Sequence, residues 1–460
     1  MHSDLHTMTD APLMLSVSGA RGIVGKSMTE AFAARWAFAF ASHLHDQSGR
    51  APTLCLARDT RPSGESLSNA ARGALKDCGC DVIDLGVVAT PTAGVMIGAL
   101  SADGGLVVTA SHNPSPWNGF KCLDHDGLAP NASAAQDIIR RFHDDREPTS
   151  ADDGQCSAND AGHDTHIARI LGLIDPMPLR EIGFRVVLDS VNGAGCVGGR
   201  RLLELLGCEV IHLNGTPTGA FAHPPEPKEE NLQKLCEAVR QHEAAIGFAQ
   251  DPDADRLAIV DETGNYIGEE YTLVLAAMAM LEEGQSAAAN LSTSRMIDDL
   301  AASVGGCVHR TAVGEANVAG VMKKNECVIG GEGNGGVIAP SVGWVRDSLC
   351  GMAIVLDLLR RKDRPLSDII TDVPAYAMIK QSIDIADIGG RDGLEDAMQQ
   401  LRKAFDSERI DESDGIRIDF ENGWVHLRAS NTEPIARIIA EARTEADAAA
   451  LVERVLQRGA

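Results

Sequence analysis

Three carboxylates at alternate positions open the case for chemistry: Asp251, Asp253 and Asp255 in Gln250-Asp-Pro-Asp-Ala-Asp-Arg256. Oxygen ligands at i, i+2 and i+4 in a loop suit a hard divalent cation. An EF-hand fails, although Glu262 falls at its last ligand position. Arg256 stands where that loop's sharp turn needs Gly, and apolar runs of strand type, Ala245–Phe248 and Leu257–Val260, flank the triplet. What remains is Mg²⁺ held by carboxylates together with a substrate phosphate oxygen. The plainer alternative, a solvated acidic loop, explains poorly why the triplet lies between two buried strands.

Four other segments carry reactive side chains. Thr109-Ala-Ser-His-Asn-Pro-Ser-Pro-Trp-Asn-Gly-Phe-Lys121 follows the apolar Gly105–Val108, so its prolines and Asn118-Gly119 force a loop at the carboxyl end of a strand. Open α/β sheets place their sites there. Ser111 and His112 are chain neighbours, and strand-end geometry is expected to point them apart, which disfavours a Ser/His/Asp triad; a purely structural loop is the alternative. In Gly330-Gly-Glu-Gly-Asn-Gly-Gly336, the glycines at 331, 333 and 336 match a dinucleotide fingerprint. Val337-Ile-Ala-Pro340 follows, however, so no helix starts there to receive a pyrophosphate. A Gly-rich loop presenting Glu332 and Asn334 to a polyhydroxyl ligand remains, beside a tight turn without function. Arg428-Ala-Ser430-Asn431-Thr432-Glu-Pro434 offers a guanidinium, hydroxyls, an amide and loop N–H groups, which suits a phosphate nest or an ordinary turn. Ser18-Gly-Ala-Arg21-Gly22 is a Gly-flanked arginine that alone decides nothing.

The elements that must hold these loops alternate as strand and helix, the rhythm of α/β domains. Strands are expected at Thr53–Ala57, Gly105–Thr109, Arg185–Asp189, Ala245–Ala249, Leu257–Asp261 and Cys327–Ile329. Helices are expected at Thr29–His43, Ser66–Cys78, Gly199–Leu206, Tyr271–Glu282 and Leu349–Arg361. An internal repeat aligns Leu75–Leu85 with Leu203–Leu213, each reading as helix end, Gly cap and strand, and each followed by Thr-Pro-Thr. A fainter third copy starts at Gly306-Cys307-Val308. Residues 144–165, with seven acids and one Arg, read as a linker or long loop. Beyond Val373-Pro374 the pattern changes to a short α+β tail: a strand, a helix over Leu394–Phe405, strands at Gly415–Phe420 and Trp424–Ala429, and a last helix from Thr444. Four domains fit the 460 residues better than three.

Composition bounds the partners. Lys and Arg total 41 against 66 Asp and Glu, a net charge of −25, and aromatics are only 4%. That excludes a general nucleic-acid binder and docking on an anionic membrane. Eleven scattered cysteines without a CxxC pair suggest reduced thiols. The start, MHSDLHTMTD, lacks signal-peptide character, and the longest apolar run, Tyr271–Leu281, is too short to span a bilayer. A cytoplasmic protein is expected.

The ordered set SGARG, TASHNPSPWNGFK, DPDADR, GEGNGG and RASNTEP resembles the α-D-phosphohexomutases over nearly the whole chain. The resemblance implies an α/β protein of four domains around a central cleft, three of duplicated mixed α/β topology plus a C-terminal α+β domain. The expected extents are 1–160 with the phosphoserine loop, 161–268 with the metal loop, 269–372 with the sugar loop and 373–460 with the phosphate loop. It implies an intramolecular phosphotransferase interconverting hexose 1- and 6-phosphates (glucose, mannose or both), with a hexose 1,6-bisphosphate as activator and intermediate. Ser111 would carry the phosphoryl group, and Asp251, Asp253, Asp255 and a phosphoserine oxygen would hold Mg²⁺. His112, Lys121, Arg21 and Arg256 would assist transfer. Glu332 and Asn334 would hold sugar hydroxyls, and Arg428, Ser430, Asn431 and Thr432 the other phosphate.

Asn334 and Glu315 stand where relatives often carry Ser and His. Asn431 resembles the glucose/mannose form of its loop, with a phosphoglucosamine mutase as the alternative. Pro252 and Ala254 replace glycines of a common metal-loop variant, which is tolerable wherever φ stays negative. A metal-dependent sugar phosphatase and a non-catalytic sugar-phosphate sensor are the rivals from other classes. Intact Ser111 and the three Asp residues weigh against the sensor, and the Glu332 and Arg428 apparatus against the phosphatase. A monomer or homodimer is expected.

Overall fold

The computed structural model describes residues 11–144, 154–430 and 435–459. The N-terminal MHSDLHTMTD therefore lies outside the described residues, as does much of the acidic segment. The chain divides into two compact units, Met1–Met280 with Asn334–Ile369, and Leu281–Gly333 with Ile370–Ala460.

In the first unit, β1 (Leu13–Ser16), β2 (Gly19–Ile23), β3 (Thr53–Arg58), β4 (Asp81–Val87), β5 (Gly104–Val108), β6 (Trp117–Leu123) and β7 (Cys156–Ala158) form one sheet in the order β1-β2-β6-β5-β3-β4-β7. The pairs of β3 with β4 and β5, and of β4 with β7, are parallel; β5–β6, β2–β6 and β1–β2 are antiparallel. A second sheet in the same unit orders β8 (Arg185–Asp189), β9 (Glu209–Leu213), β10 (Ile246–Gln250) and β11 (Leu257–Val260) as β11-β10-β8-β9. The second unit pairs β12 (Ala287–Asn290) in parallel with both β13 (Val308–Thr311) and β14 (Ile329–Glu332). The short β15 (Gly336–Ile338) follows in the first unit.

The duplication expected from the sequence is therefore real. β3, β8 and β12 each lead through a helix (Gly64–Asp77, Gly195–Leu205 and Met296–Ser303) to a parallel neighbour, and each takes the next strand on its other side. Each copy leaves its helix through a glycine with positive φ, Gly79 (76°), Gly207 (84°) and Gly305 (69°). That left-handed turn reverses the chain at little cost only without a Cβ. The Thr-Pro-Thr parallel does not extend to structure. At 90–92 it opens the helix Thr90–Leu100, whereas 216–218 stay in a loop.

The C-terminal domain is an antiparallel sheet of β16 (Ala377–Asp384), β17 (Arg409–Asp411), β18 (Ile416–Phe420), β19 (Gly423–Ala429) and β20 (Ile435–Ala442), in the order β16-β20-β19-β18-β17. The helices Gly390–Ala404 and Glu445–Gly459 accompany it. The sequence reading missed β17 and the interior strand β20. It also read 144–165 as linker throughout, whereas β7 extends the first sheet and a helix runs from Gly162 to Leu173.

The cores explain the framework. Trp36 and Phe40 of the helix Glu30–Ser48 are buried with Leu54 and Leu56 of β3 and Phe120 of β6. Trp36 packs edge-on against Phe142 with centroids 5.6 Å apart, a favoured aromatic geometry. His166 ties the first unit together from within: its Nδ1 lies 2.9 Å from Thr92 Oγ1 and its Nε2 2.7 Å from Asp347 Oδ2. All eleven cysteines are free and eight are buried. Among the described residues, no helix is long and apolar enough to cross a membrane.

Candidate active site

β5 is buried along its whole length, and the loop that follows delivers Ser111 to the end of the sheet. Ser111 is itself buried and adopts φ 49°, a left-handed conformation that costs a non-glycine residue about 1–2 kcal/mol. Its N–H donates to Thr109 Oγ1 (2.9 Å), and its hydroxyl donates to Asp251 Oδ2 (3.0 Å). The expectation that Ser111 and His112 point apart is corrected, because the left-handed turn brings Ser111 Oγ to 3.4 Å from His112 Nδ1. A triad still does not form. The serine proton faces Asp251, and Glu226 Oε1 is 3.9 Å from His112 Nε2, too far for an orienting hydrogen bond. The charge of Arg256, then burial, then the charge of Arg21 hold the His112 imidazole well below its ordinary pKa.

The carboxylates sit where β10 and β11, an antiparallel pair, open into a tight loop. One oxygen from each of Asp251, Asp253 and Asp255 lies within 4.8 Å of the others, and all three residues are buried. Lys121 Nζ, on β6, donates to Asp253 Oδ2 (2.6 Å) and Asp255 Oδ2 (2.7 Å). Arg346 Nη2 donates to Asp255 Oδ2 (2.7 Å) and Thr90 Oγ1 to Asp253 Oδ2 (2.6 Å). Lys121 and Arg346 thus hydrogen-bond two of the three buried acids, and the charge of Arg256 acts on Asp251 and Asp255 as well. Burial, followed by the charges of Asp255 and Asp253, drives the Asp251 carboxyl well above the usual carboxylate range. For Asp255, burial pushes the same way, but Arg346 and Lys121 outweigh it and hold the carboxyl far below that range.

Asp253 Oδ1 and Asp255 Oδ1 are buried with no hydrogen-bond partner among the described residues. Clustered, under-satisfied hard oxygens fit a divalent cation. Within this loop Ala254 adopts φ 56°, so the condition under which a non-glycine residue is tolerated there, a negative φ, is not met at this position.

The first unit gathers further basic groups. Arg21, on β2, donates from Nη1 to Asn113 Oδ1 (2.8 Å) of the serine loop. Arg256 Nη1 is 3.8 Å from Glu226 Oε1, and its Nε is buried without a partner among the described residues. Asn334 belongs to this unit as well, next to Gly335, whose carbonyl accepts from Leu257 N at the start of β11 (2.9 Å).

Glu332, Arg428 and Ser430 lie in the second unit. Gly330 to Glu332 form the body of β14 rather than a loop, which corrects the sequence reading. Glu332 Oε1 there accepts from Asn290 Nδ2 (2.9 Å) and Gly314 N (3.1 Å). Glu315 opens the helix Glu315–Asn325 beside it. Arg428, at the end of β19, donates from Nε to Asp414 Oδ2 (2.9 Å), which also accepts from Val313 N (3.0 Å). Its Nη2 is buried without a partner among the described residues. Ser430 N donates to Ile435 O (2.8 Å), and Asn431 and Thr432 lie outside the described residues.

Sequence reading missed Asp59, Arg61, Thr90, Glu226, Arg346 and Asp414. For Asp59 and Arg61 a signal existed: Arg58-Asp-Thr-Arg61 stands at the carboxyl end of β3, beside that of β5.

Comparison with known proteins supplies the family. Models of the phosphoglucomutase/phosphomannomutase domains match in chain order: alpha/beta/alpha domain I over residues 14–149, domain II over 164–264, domain III over 268–376 and the C-terminal domain over 390–458. A protein of Methanopyrus kandleri named as a probable phosphoglucosamine mutase is 36% identical over 432 residues, 93% of each chain. A phosphoglucomutase/phosphomannomutase of Thermococcus kodakarensis is 36% identical over 447 residues, 95% of this chain and 96% of its own. Among solved structures, a phosphoglucomutase/phosphomannomutase family protein from Burkholderia thailandensis matches with a TM-score of 0.85 at 27% identity, over 97% of both chains. With four domain matches in order and full-length relatives of this identity, the chain belongs to the phosphoglucomutase/phosphomannomutase family, the phosphohexomutases.

Proposed function

We propose that this phosphohexomutase interconverts hexose 1-phosphate and hexose 6-phosphate through phosphoserine at Ser111 and a hexose 1,6-bisphosphate. The observation that carries the reading is the Ser111 hydroxyl, buried and 3.0 Å from a carboxylate of the Asp251, Asp253 and Asp255 cluster. Mg²⁺ would be held by those three carboxylates and an oxygen of phosphorylated Ser111, and when bound it neutralises charge on the transferring group. A phosphoserine carries about −1.5 to −2 charge, so it needs such compensation beside three acids.

The chain's own residues then position and neutralise. Ser111 Oγ gives its phosphoryl group to the free sugar hydroxyl; the bisphosphate turns over; its other phosphate returns to Ser111. Arg21, His112, Lys121 and Arg256 surround the serine loop and the carboxylates, so charge shed by the moving group meets fixed donors. Glu332 and Asn334 hold sugar hydroxyls. Arg428, whose Nη2 is left without a partner among the described residues, grips the far phosphate with Ser430, Asn431 and Thr432. Anchoring the remote phosphate converts binding energy into orientation of the reacting hydroxyl.

We place the sugar among glucose and mannose phosphates. Glucosamine phosphate is the second reading, favoured by the Methanopyrus kandleri relative. We assign domain extents of 1–160, 161–268, 269–372 and 373–460, a monomer or homodimer, and a cytoplasmic setting, where eleven free thiols stay reduced. A kcat/KM comparison on glucose, mannose and glucosamine 1-phosphates with Mg²⁺ tests the reading. Conversion of at least one to its 6-phosphate is expected; release of inorganic phosphate in its place would favour a phosphatase.

A further inference from the structure

Arg61 is almost wholly buried, and all five of its N–H donors are spent inside the protein. Nη2 donates to Ser111 O (2.7 Å) and Asn113 O (2.6 Å), Nη1 to Pro114 O and Trp117 O (3.1 Å each), and Nε to Asp59 Oδ2 (3.1 Å). A guanidinium so engaged has nothing left for a substrate phosphate. Four of its five acceptors are main-chain carbonyls, three in the loop that carries Ser111 and one on Trp117, where that loop enters β6. Asp59 completes the frame: its Oδ2 also accepts from Thr109 Oγ1 (2.7 Å), and Thr109 Oγ1 accepts the Ser111 N–H. The left-handed Ser111 is therefore held on its carbonyl side by Arg61 and on its amide side by Thr109.

The same arginine faces the second α/β domain of its unit. Its guanidinium lies 4.9 Å from the centre of the Phe221 ring, and its neighbour Thr60 donates from Oγ1 to Asn192 O (2.8 Å). Gly219 packs so closely there that a Cβ would stand 2.0 Å from Thr60 O. Two residues beyond Asn192, Ala194 N donates to Pro252 O (2.7 Å) of the carboxylate loop. The contacts thus run from the serine loop through Arg61 and Thr60 to the loop bearing Asp251.

We propose that Arg61, with Asp59 and Thr109, is a positioning device that fixes the Ser111 hydroxyl at its 3.0 Å distance from Asp251, and that phosphoryl transfer depends on it although none of the three touches substrate. The inference rests on Ser111 being the phosphoryl carrier. Lysine cannot replace the arginine, because a single ammonium lacks the planar fork that spans several carbonyls.

The test measures the rate at which Ser111 acquires a phosphoryl group from glucose 1,6-bisphosphate, by intact mass, in the wild type, Arg61→Lys, Thr109→Val and Thr109→Ser. Mn²⁺ affinity and thermal midpoint are measured beside it. A displacement of the hydroxyl by about 1 Å costs about 100-fold in rate. That loss is expected in Arg61→Lys, with about a tenfold loss in Thr109→Val that Thr109→Ser largely restores, while Mn²⁺ affinity changes little. Labelling of Arg61→Lys and Thr109→Val at the wild-type rate overturns the inference alone. So does failure of both variants to fold, which makes the network one of stability. Failure of the wild type to label refutes the phosphoserine reading and this role with it.

Discussion

Lys121→Met removes the cation that joins Asp253 to Asp255 while keeping an unbranched, apolar stem. The Nζ lies 2.6 and 2.7 Å from two buried carboxylates. Breaking a buried pair from one side costs about 3–5 kcal/mol, because the remaining charge loses its compensation. Arg346 still serves Asp255, and Thr90 still donates to Asp253, so the low end, about 3 kcal/mol, is expected in EDTA. A divalent cation replaces the missing charge and no longer meets a competing ammonium, so Mg²⁺ should bind the variant about tenfold more tightly. By linkage this adds about 1.4 kcal/mol to the stabilisation Mg²⁺ gives. Urea unfolding of wild type and variant, each in EDTA and in matched Mg²⁺, measures both quantities. An equal loss with and without Mg²⁺, or a loss below about 1 kcal/mol, would refute the electrostatic account of this cluster.

Two further outcomes follow from strain and burial. Ala254→Val should cost more than about 2 kcal/mol, since a β-branched residue tolerates φ near 56° poorly, while Ala254→Gly stays within about 1 kcal/mol of wild type. Matched urea midpoints decide this, and a harmless valine would contradict it. In the second unit His426 is buried, with Nδ1 2.9 Å from Ser292 Oγ and Nε2 donating to Asp414 O (2.6 Å), and burial pushes its pKa from 6.5 down to about 4. The unfolded chain takes up this proton near pH 6.5 and the folded chain only near pH 4. Stability is therefore retained above 6.5 and falls as pH drops between these values, by up to about 1.4 kcal/mol per unit. The fall should shrink in His426→Gln, and equal acid sensitivity of the two proteins would contradict the assignment.

What could be read from the sequence was what the chain keeps local. Ser111 and the Asp251, Asp253 and Asp255 triplet each lie within one short loop between buried strands, so residue type and spacing exposed them directly. The βαβ repeat was legible for the same reason. Arg61, Thr90 and Arg346 were not, because 50 residues separate Arg61 from Ser111, 163 separate Thr90 from Asp253 and 91 separate Arg346 from Asp255. Only the sheets bring them together. β20 escaped because Ile-Ala-Arg-Ile-Ile-Ala-Glu-Ala suits a helix as well as a strand, and its pairing with both β16 and β19 decides the matter. The second Thr-Pro-Thr cannot open a helix because Gly219 and three prolines at 224, 225 and 227 follow it, whereas Ala-Gly-Val-Met-Ile follows the first. Gly330 was read as loop, but its missing Cβ would meet Met322 Sδ at 2.5 Å, so the glycine serves close packing within a strand.

The central claim is that Ser111 carries the phosphoryl group, and transfer from a labelled hexose 1,6-bisphosphate tests it most directly. Incubation with [³²P]glucose 1,6-bisphosphate and Mg²⁺, followed by peptide mapping, should place the label on the peptide containing Ser111. Added hexose 1-phosphate should then discharge it into hexose bisphosphate, and Ser111→Ala should take up no label. Label on another residue, or turnover of hexose 1-phosphate by Ser111→Ala at the wild-type rate, would contradict the account.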